Sequence, residues 1–479
     1  MTTAVASGSA AFALADVLAA TGGDLVRVGA RTDFPGVVTD TRGLEAGELF
    51  VAIRGDAHDG HDFLADAAAR GAGAVIVDRA HADRPLVCGV IAVRDTLAAL
   101  GDLAAFHRRR HRPRIVAVTG SNGKTTTKEM LAGILERALG PGRVLRTLGT
   151  QNNLVGLPLT LLRLGPTEEA AILELGMNAP GEIWRLAQIA EPDVGVITCV
   201  APAHLEGLGS IEGVAEAKAE LYRRLRPSAT AVVNADDPRV AASARVFTGR
   251  KVPFGTLDPA TTAVGARGIL DHGLDGTEFR LVVERQETPI RLAVPGRHNV
   301  TNALAAAAAA HALGIGIEAV RTGLEAFQPP GMRMEVTQLP NGITVLNDAY
   351  NANPASMAAA LRTLAASRGR RRIAVLGEMR ELGREAARAH RELGVAAAGA
   401  TLDALFLLGP HADEVRGGAE EAGLPGERIT VATSHQDLGV RLAAYCRPGD
   451  LVLLKGSRGA AMEEVLRHLT VDASGERRP

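Results

Sequence analysis

The feature that most constrains this chain is the run Thr119-Gly-Ser-Asn-Gly-Lys-Thr-Thr-Thr127. It follows an unbroken apolar stretch at residues 115–119 and precedes a helical pattern over residues 128–139. A buried strand that turns through glycines into a helix belongs to a helix-covered, mainly parallel sheet. The glycines let backbone N–H groups converge on an anion, and the helix N-terminus adds a favourable dipole. Lys124 is spaced to reach β- and γ-phosphates, and the Thr125 hydroxyl to ligate Mg²⁺. Two residues separate Gly120 from Gly123, where the standard phosphate loop has four. Glycine-rich text alone is often only a turn; strand, Gly-Lys-Thr and helix in this order point to nucleotide binding.

Further strand-like runs at 171–175, 194–200 and 230–234 alternate with helical segments, extending the parallel-sheet pattern. At 479 residues the chain exceeds what one core organises, so several domains are expected. A first block has short β-type runs at 37–39, 49–53 and 74–77 around an alanine-rich helical stretch at 63–70. It ends in His107-Arg-Arg-Arg-His-Arg112, read as a solvated helix end and linker. Gln328-Pro-Pro-Gly331 is a natural hinge. Beyond it, strand-like runs at 343–346, 373–376, 405–408, 429–432 and 451–454 repeat the α/β theme, and residues 472–479 read as a disordered tail. The expected fold is α/β in three domains. Residues 1–112 form a small N-terminal α/β domain, and 113–327 a central P-loop-type, mainly parallel sheet with helices on both faces. Residues 328–479 form a C-terminal Rossmann-like α/β domain.

A formal net charge of −1 gives no global attraction to nucleic acid or to a membrane surface, so any phosphate site must be local. Cys88, Cys199 and Cys446 are far apart, odd in number and form no CxxC pair, which supports neither a disulfide framework nor a zinc site and fits buried free thiols. The N-terminal stretch lacks the basic start of a secretory signal, and the alanine run 303–310 is too short to span a bilayer. A cytoplasmic location without membrane insertion is expected.

A phosphate loop needs a metal, and the metal needs oxygen ligands. Glu174 ends a strand, where open α/β sheets bind ligands. His204 follows another strand end, a position more often filled by capping or packing residues. Lys218 falls on the apolar stripe Ile211, Val214, Leu221, Tyr222 and Leu225 of a helical segment at 211–225. A lysine facing inward snorkels, pairs with an acid, or does chemistry. In the last case a desolvated amine can take up CO₂ as a carbamate and become an anionic metal ligand.

Gly120-Ser-Asn-Gly-Lys-Thr-Thr126, Glu174, His204 and the Ala217-Lys218 helix together resemble the Mur ligase family, and the resemblance spans nearly the whole chain. It implies ATP and Mg²⁺ as cofactors, with Gly120, Ser121, Asn122, Gly123, Lys124, Thr125 and Thr126 around the nucleotide. Thr125, Glu174, His204 and Lys218 (as carbamate) are the implied metal ligands. Asp40-Thr-Arg42, Gly47-Glu-Leu-Phe-Val-Ala52 and Asp59-Gly-His61 resemble the first domain of members that bind UDP-muramoyl peptides. This implies substrate contacts from Asp40, Thr41 and Arg42; Thr41 stands where many members have serine, with the hydroxyl kept. Gly296-Arg-His-Asn-Val-Thr-Asn302 resembles the adenine-side segment and implies His298, Asn299 and Asn302. Gly331-Met-Arg333 resembles the arginine entering from the third domain.

Asn347-Asp-Ala-Tyr-Asn-Ala-Asn-Pro354, Gln151-Asn-Asn-Leu-Val-Gly-Leu-Pro158 and Glu174-Leu-Gly-Met-Asn178 resemble the branch that adds D-alanyl-D-alanine to a UDP-N-acetylmuramoyl-tripeptide. They imply Asp348 at the nucleotide and Asn152, Asn153, Tyr350, Asn351 and Asn353 at the substrates. Without the resemblance, Asn353 reads as a helix N-cap with Pro354 at the first helical position, after a strand that runs out near residue 346. The implied reaction is an ADP-forming ligation through an acyl phosphate, with Lys124, Lys218, His204 and Arg333 as catalytic candidates, in a monomer whose third domain closes about residues 328–331. The alternatives are the tripeptide-forming branch, a folylpolyglutamate synthetase, or a P-loop regulatory ATPase, for which an inward Lys218 and two further domains have no evident use.

Overall fold

The computed structural model describes residues 10–55, 57–149, 151–257, 261–367 and 370–469; the tail expected at 472–479 lies outside the described residues. Three large sheets follow one another along the chain, beside a two-stranded antiparallel pairing of Phe12–Ala13 with Asp33–Phe34. The first has strands β1 (Asp24–Arg27), β2 (Val37–Val38), β3 (Leu49–Val51), β4 (Ala74–Asp78) and β5 (Gly89–Val93). Their order is β1-β5-β4-β3-β2, parallel except for the edge strand β1.

Helix α1 (Thr96–His111) leads out of this sheet, with Asp95 capping its start by accepting the N–H groups of Leu97 and Ala98. Its basic end is not simply solvated, as the sequence suggested. His107 and Arg108 are buried, at 3% and 7% exposure. His107 Nε2 lies 2.8 Å from the Leu164 carbonyl, and Arg108 donates to the carbonyls of Ala190 and Glu191. Those carbonyls close the helix Glu182–Ala190, so the arginine satisfies acceptors that a helix end leaves open. Only the later part of the basic run faces solvent.

The central sheet has nine strands: β6 (Arg114–Thr119), β7 (Val144–Arg146), β8 (Ala170–Glu174), β9 (Val194–Ile197), β10 (Thr230–Asn234), β11 (Arg250–Gly255), β12 (Val264–Asp271), β13 (Thr277–Val283) and β14 (Gln286–Leu292). Their order is β14-β13-β12-β11-β10-β9-β6-β8-β7, parallel from β7 to β12 and antiparallel at β12-β13-β14. The chain leaves β6 and returns first on one side, at β8, then on the other, at β9. The carboxyl end of β6 is therefore the topological switch point where open α/β sheets bind ligands. Helix α2 (Lys124–Leu139) starts four residues earlier than its apolar pattern indicated, directly behind the glycines. Helix α3 (Ile211–Arg224) and helix α4 (His298–Ala312) also cover this sheet. In α4 the alanines 303–310 are buried; their small side chains let the helix pack closely on α2 and on β11. Strand β9 stops at Ile197 rather than continuing to residue 200.

The third sheet has strands β15 (Glu335–Gln338), β16 (Thr344–Asp348), β17 (Arg372–Leu376), β18 (Ala404–Leu408), β19 (Ile429–Ala432) and β20 (Leu451–Lys455), ordered β15-β16-β20-β17-β18-β19. All pairs are parallel except β15 with β16. Helix α5 (Pro354–Ala366) follows β16, capped by Asn353, whose Oδ1 accepts Ser356 N–H while Ser356 Oγ accepts Asn353 N–H. Of the three free thiols only Cys88 is buried; Cys199 and Cys446 are partly exposed, unlike the uniformly buried set expected. Among the described residues no helix is long and apolar enough to cross a membrane.

Candidate active site

A cavity of about 800 Å³ opens between the carboxyl ends of the central strands and the carboxyl end of β16 in the third sheet. The phosphate loop forms its floor. A Cβ at Gly120 (φ +149°) would meet Thr198 Oγ1 at 1.8 Å, and one at Gly123 (φ +82°) would meet Asn302 Oδ1 at 2.2 Å, so both positions need glycine for backbone angle and for space. Lys124 Nζ rests on the Gly120 carbonyl at 2.8 Å, folded back onto its own loop. Burial pushes its ammonium below the ordinary lysine range.

Thr125 and Glu174 are brought together. Thr125 Oγ1 donates to Glu174 Oε2 at 2.8 Å, and Asn152 Nδ2 donates to Glu174 Oε1 at 2.9 Å. The backbone N–H of Glu174 is held by Thr147 Oγ1 at 3.0 Å. A buried carboxylate at the end of β8 and a hydroxyl in the first turn of α2 form a hard-oxygen donor pair of the kind Mg²⁺ selects.

Lys218 lies on the inward face of α3 with Val214, Ala217, Leu221 and Tyr222, at 2% exposure. Burial, and then the charge of Lys124, hold its ammonium well below the ordinary value. His204 takes a left-handed backbone (φ 54°) before the short helix Leu205–Leu208, with Nδ1 2.6 Å from Glu381 Oε2. Glu381 also has a left-handed backbone (φ 64°), and its carbonyl accepts Glu206 N–H at 3.2 Å. The close approach of His204 holds its carboxyl below the usual range. Glu381 had no signal in the sequence, since neither strand end nor helical stripe marks it.

On the far wall, Asn299 Nδ2 donates to the Pro295 carbonyl and Asn302 Nδ2 to Asn299 Oδ1, which fixes the start of α4 against Gly123. Burial pushes His298 below the ordinary histidine value, against the opposing charge of Asp348. From the third sheet, Asp348 Oδ1 accepts Met334 N–H at 3.1 Å, and the Arg333 guanidinium lies over the Tyr350 ring at 3.9 Å. Asn122 and Asn353 exchange two amide hydrogen bonds, 3.2 and 2.8 Å, which join the phosphate loop to the cap of α5.

Ser121 to Thr126, Asn152, Asn153, Glu174, His204, His298, Asn299, Asn302, Arg333, Asp348, Tyr350, Asn351 and Asn353 all line the one cavity. Gly120 and Lys218 do not line it, although the charge of Lys124, which does, acts on Lys218. Asp40, Thr41 and Arg42 do not line it. They form a turn of the first sheet, in which Asp40 Oδ1 accepts Arg42 N–H at 2.9 Å and Arg42 is exposed.

The chain matches the Mur ligase middle domain over residues 118–310, the Mur ligase glutamate ligase domain over 332–458, and the catalytic domain of the Mur ligase family over 33–108. It is 40% identical to a UDP-N-acetylmuramoyl-tripeptide–D-alanyl-D-alanine ligase of Escherichia coli (strain K12), covering 92% of this chain and 95% of that one. It is 36% identical to the ligase of the same name from Bacillus subtilis (strain 168), covering 92% and 94%. Among solved structures, MurF from Acinetobacter baumannii superposes with a TM-score of 0.87 at 31% identity, over 96% of this chain and 99% of that one. MurF ligase from Thermotoga maritima in complex with ADP superposes with a TM-score of 0.79 at 28% identity, over 93% and 98%.

Proposed function

The chain belongs to the Mur ligase family, and from that premise we propose that it joins D-alanyl-D-alanine to UDP-N-acetylmuramoyl-tripeptide at the expense of ATP. It is an ADP-forming carboxylate–amine ligase of peptidoglycan synthesis, working with ATP and Mg²⁺. The observation that carries the reading is the meeting of a phosphate loop and the loop 347–354 across one cavity, joined by the Asn122–Asn353 pair.

In the first half-reaction a tripeptide carboxylate oxygen attacks the γ-phosphorus of ATP and ADP leaves. In the second, the amine of the dipeptide attacks the acyl carbon, phosphate leaves and a proton is released. Phosphoryl transfer needs position and charge neutralisation more than covalent help. Lys124 and Arg333 offset charge on the transferred group. Gly120 to Thr126 cradle the phosphates, and His298, Asn299, Asn302 and Asp348 hold the nucleoside side. Asp40, Thr41, Arg42, Asn152 and Asn153 serve the UDP-tripeptide, and Tyr350, Asn351 and Asn353 the dipeptide.

The Thr125–Glu174 oxygen pair would hold one Mg²⁺, and His204 with Lys218 as a carbamate would hold a second; burial that favours the neutral form of Lys218 supports this reading. Bound there, Mg²⁺ would neutralise phosphate charge and orient the reacting oxygens. The same proposal includes a monomer with domains 1–112, 113–327 and 328–479, located in the cytoplasm, where ATP and nucleotide-linked precursors reside. The test is phosphate release from ATP and UDP-N-acetylmuramoyl-tripeptide, with and without D-alanyl-D-alanine, together with the product mass. A product heavier by one dipeptide is expected. ATP hydrolysis indifferent to both substrates, or ligation only with a single amino acid, would overturn the acceptor assignment.

A further inference from the structure

One buried cation has no part in the chemistry above. Lys455 ends β20 at 2% exposure and lies beside Asp348, the last residue of β16, because the parallel register pairs the two. Its Nζ donates to Asp348 Oδ2 at 2.5 Å and to the Asn351 carbonyl at 2.9 Å. The other oxygen of Asp348 accepts Met334 N–H at 3.1 Å, and Tyr350 N–H donates to the Met332 carbonyl at 3.1 Å. Between those two anchors lies Arg333, with its guanidinium on the Tyr350 ring. Met332 and Met334 both have left-handed backbones, φ 60° and 54°, which residues with a Cβ hold only where their surroundings over-determine them.

Stability alone explains this lysine poorly, because a buried ion pair is often no better than apolar side chains of equal volume. Its contacts instead tie three things into one geometry: a nucleotide-side carboxylate, the backbone of the acceptor-side loop and, through Met334, the segment that carries Arg333. We propose that Lys455 is a positioning residue that locks Asp348 and the loop at 350–353 into a single arrangement, so that nucleotide, acceptor dipeptide and Arg333 are placed together. The inference rests on D-alanyl-D-alanine being the acceptor.

Lys455→Met keeps the stem and removes the ammonium. The KM values for ATP and D-alanyl-D-alanine are each expected to rise roughly tenfold or more, while that for UDP-N-acetylmuramoyl-tripeptide stays within about twofold. A merely structural role would lower kcat through the folded fraction and leave every KM in place. That outcome, or an equal rise in all three KM values, overturns the proposal. If Lys455→Met does not fold, Asp348→Asn/Lys455→Met removes both charges and leaves no unpaired buried ion. Its KM for the dipeptide is expected to exceed that of Asp348→Asn alone, because the Asn351 carbonyl has lost its donor; equal values overturn the proposal. The wild type is assayed first: failure to use the dipeptide sinks the functional reading. A wild type that uses it, beside an unmoved Lys455→Met, sinks only the role of Lys455.

Discussion

A lysine on a helix face otherwise made of Val214, Ala217, Leu221 and Tyr222 has few physical options. Snorkelling is closed to Lys218, which is 2% exposed, and the charges that bear on it come from Lys124 and Cys199, neither of them a carboxylate. What remains is a neutral amine or a modified one, and carbamylation converts a costly buried cation into a ligand. Lys218→Ala is expected to lower kcat by roughly a hundredfold or more, the scale on which metal-site residues act. Formate or acetate, fitting the vacated space as carboxylate ligands, should restore part of it. Near-normal turnover in the variant would exclude the carbamate role. This residue was legible because helical periodicity is local: the stripe and the intruding lysine sit within one turn or two of each other. Glu381 and Lys455 were not legible. Glu381 meets His204 from the loop after β17, and Lys455, the last residue of β20, meets Asp348 through the parallel register, over separations that no local pattern encodes.

At the scale of elements, buried parallel strands such as β6, β8 and β10 were readable as unbroken apolar runs, whereas β12 to β14 were not. β12 is buried only over its first three residues, β13 and β14 mix buried with exposed positions, and β14 contains Pro289, which argues against a strand wherever a ladder N–H is needed. Because β14 is the sheet edge, its missing donor faces no partner strand on one side and the proline is tolerated. The end of α1 shows the same override by tertiary context. His107 looked solvated in a basic run, but packing buries it. Among the described residues its Nδ1 has no hydrogen-bond partner, while Nε2 is engaged with the Leu164 carbonyl. Burial therefore pushes its pKa down to about 4. In the unfolded chain it titrates near 6.5, so between these values the unfolded state holds the extra proton. The stabilisation is complete above about pH 6.5, shrinks as the pH falls and is gone below about 4, an effect on the order of 3 kcal/mol. His107→Gln keeps a donor for Leu164 without the titration. Urea midpoints at pH 7.5 and 4.5 should differ more for the wild type than for the variant; equal differences would mean that His107 carries none of the acid sensitivity.

On the scale of the whole molecule, the central and third sheets share one hydrophobic cluster, and around the cavity they also meet through polar contacts: the Asn122–Asn353 amide pair, His204 with Glu381, and Glu206 N–H on the Glu381 carbonyl. Such contacts exchange readily with water and each contributes little on its own. The docked arrangement is therefore sensitive to ligands that touch both walls, and an acyl phosphate has to be kept from water while it waits for the amine. Residues 328–331, with two consecutive prolines and a glycine, are the expected pivot. Small-angle scattering should show a smaller radius of gyration when a non-hydrolysable ATP analogue and UDP-N-acetylmuramoyl-tripeptide are added together than with either alone. Asn353→Ala removes the amide pair and also the cap of α5, which is worth about 1 kcal/mol. It should compact less under the same ligands while unfolding at nearly the wild-type temperature. Profiles that ligands leave unchanged in the wild type would refute closure. Equal compaction in both proteins would leave closure standing and remove Asn353 from it, shifting the coupling to the His204–Glu381 contact at the other rim of the cavity.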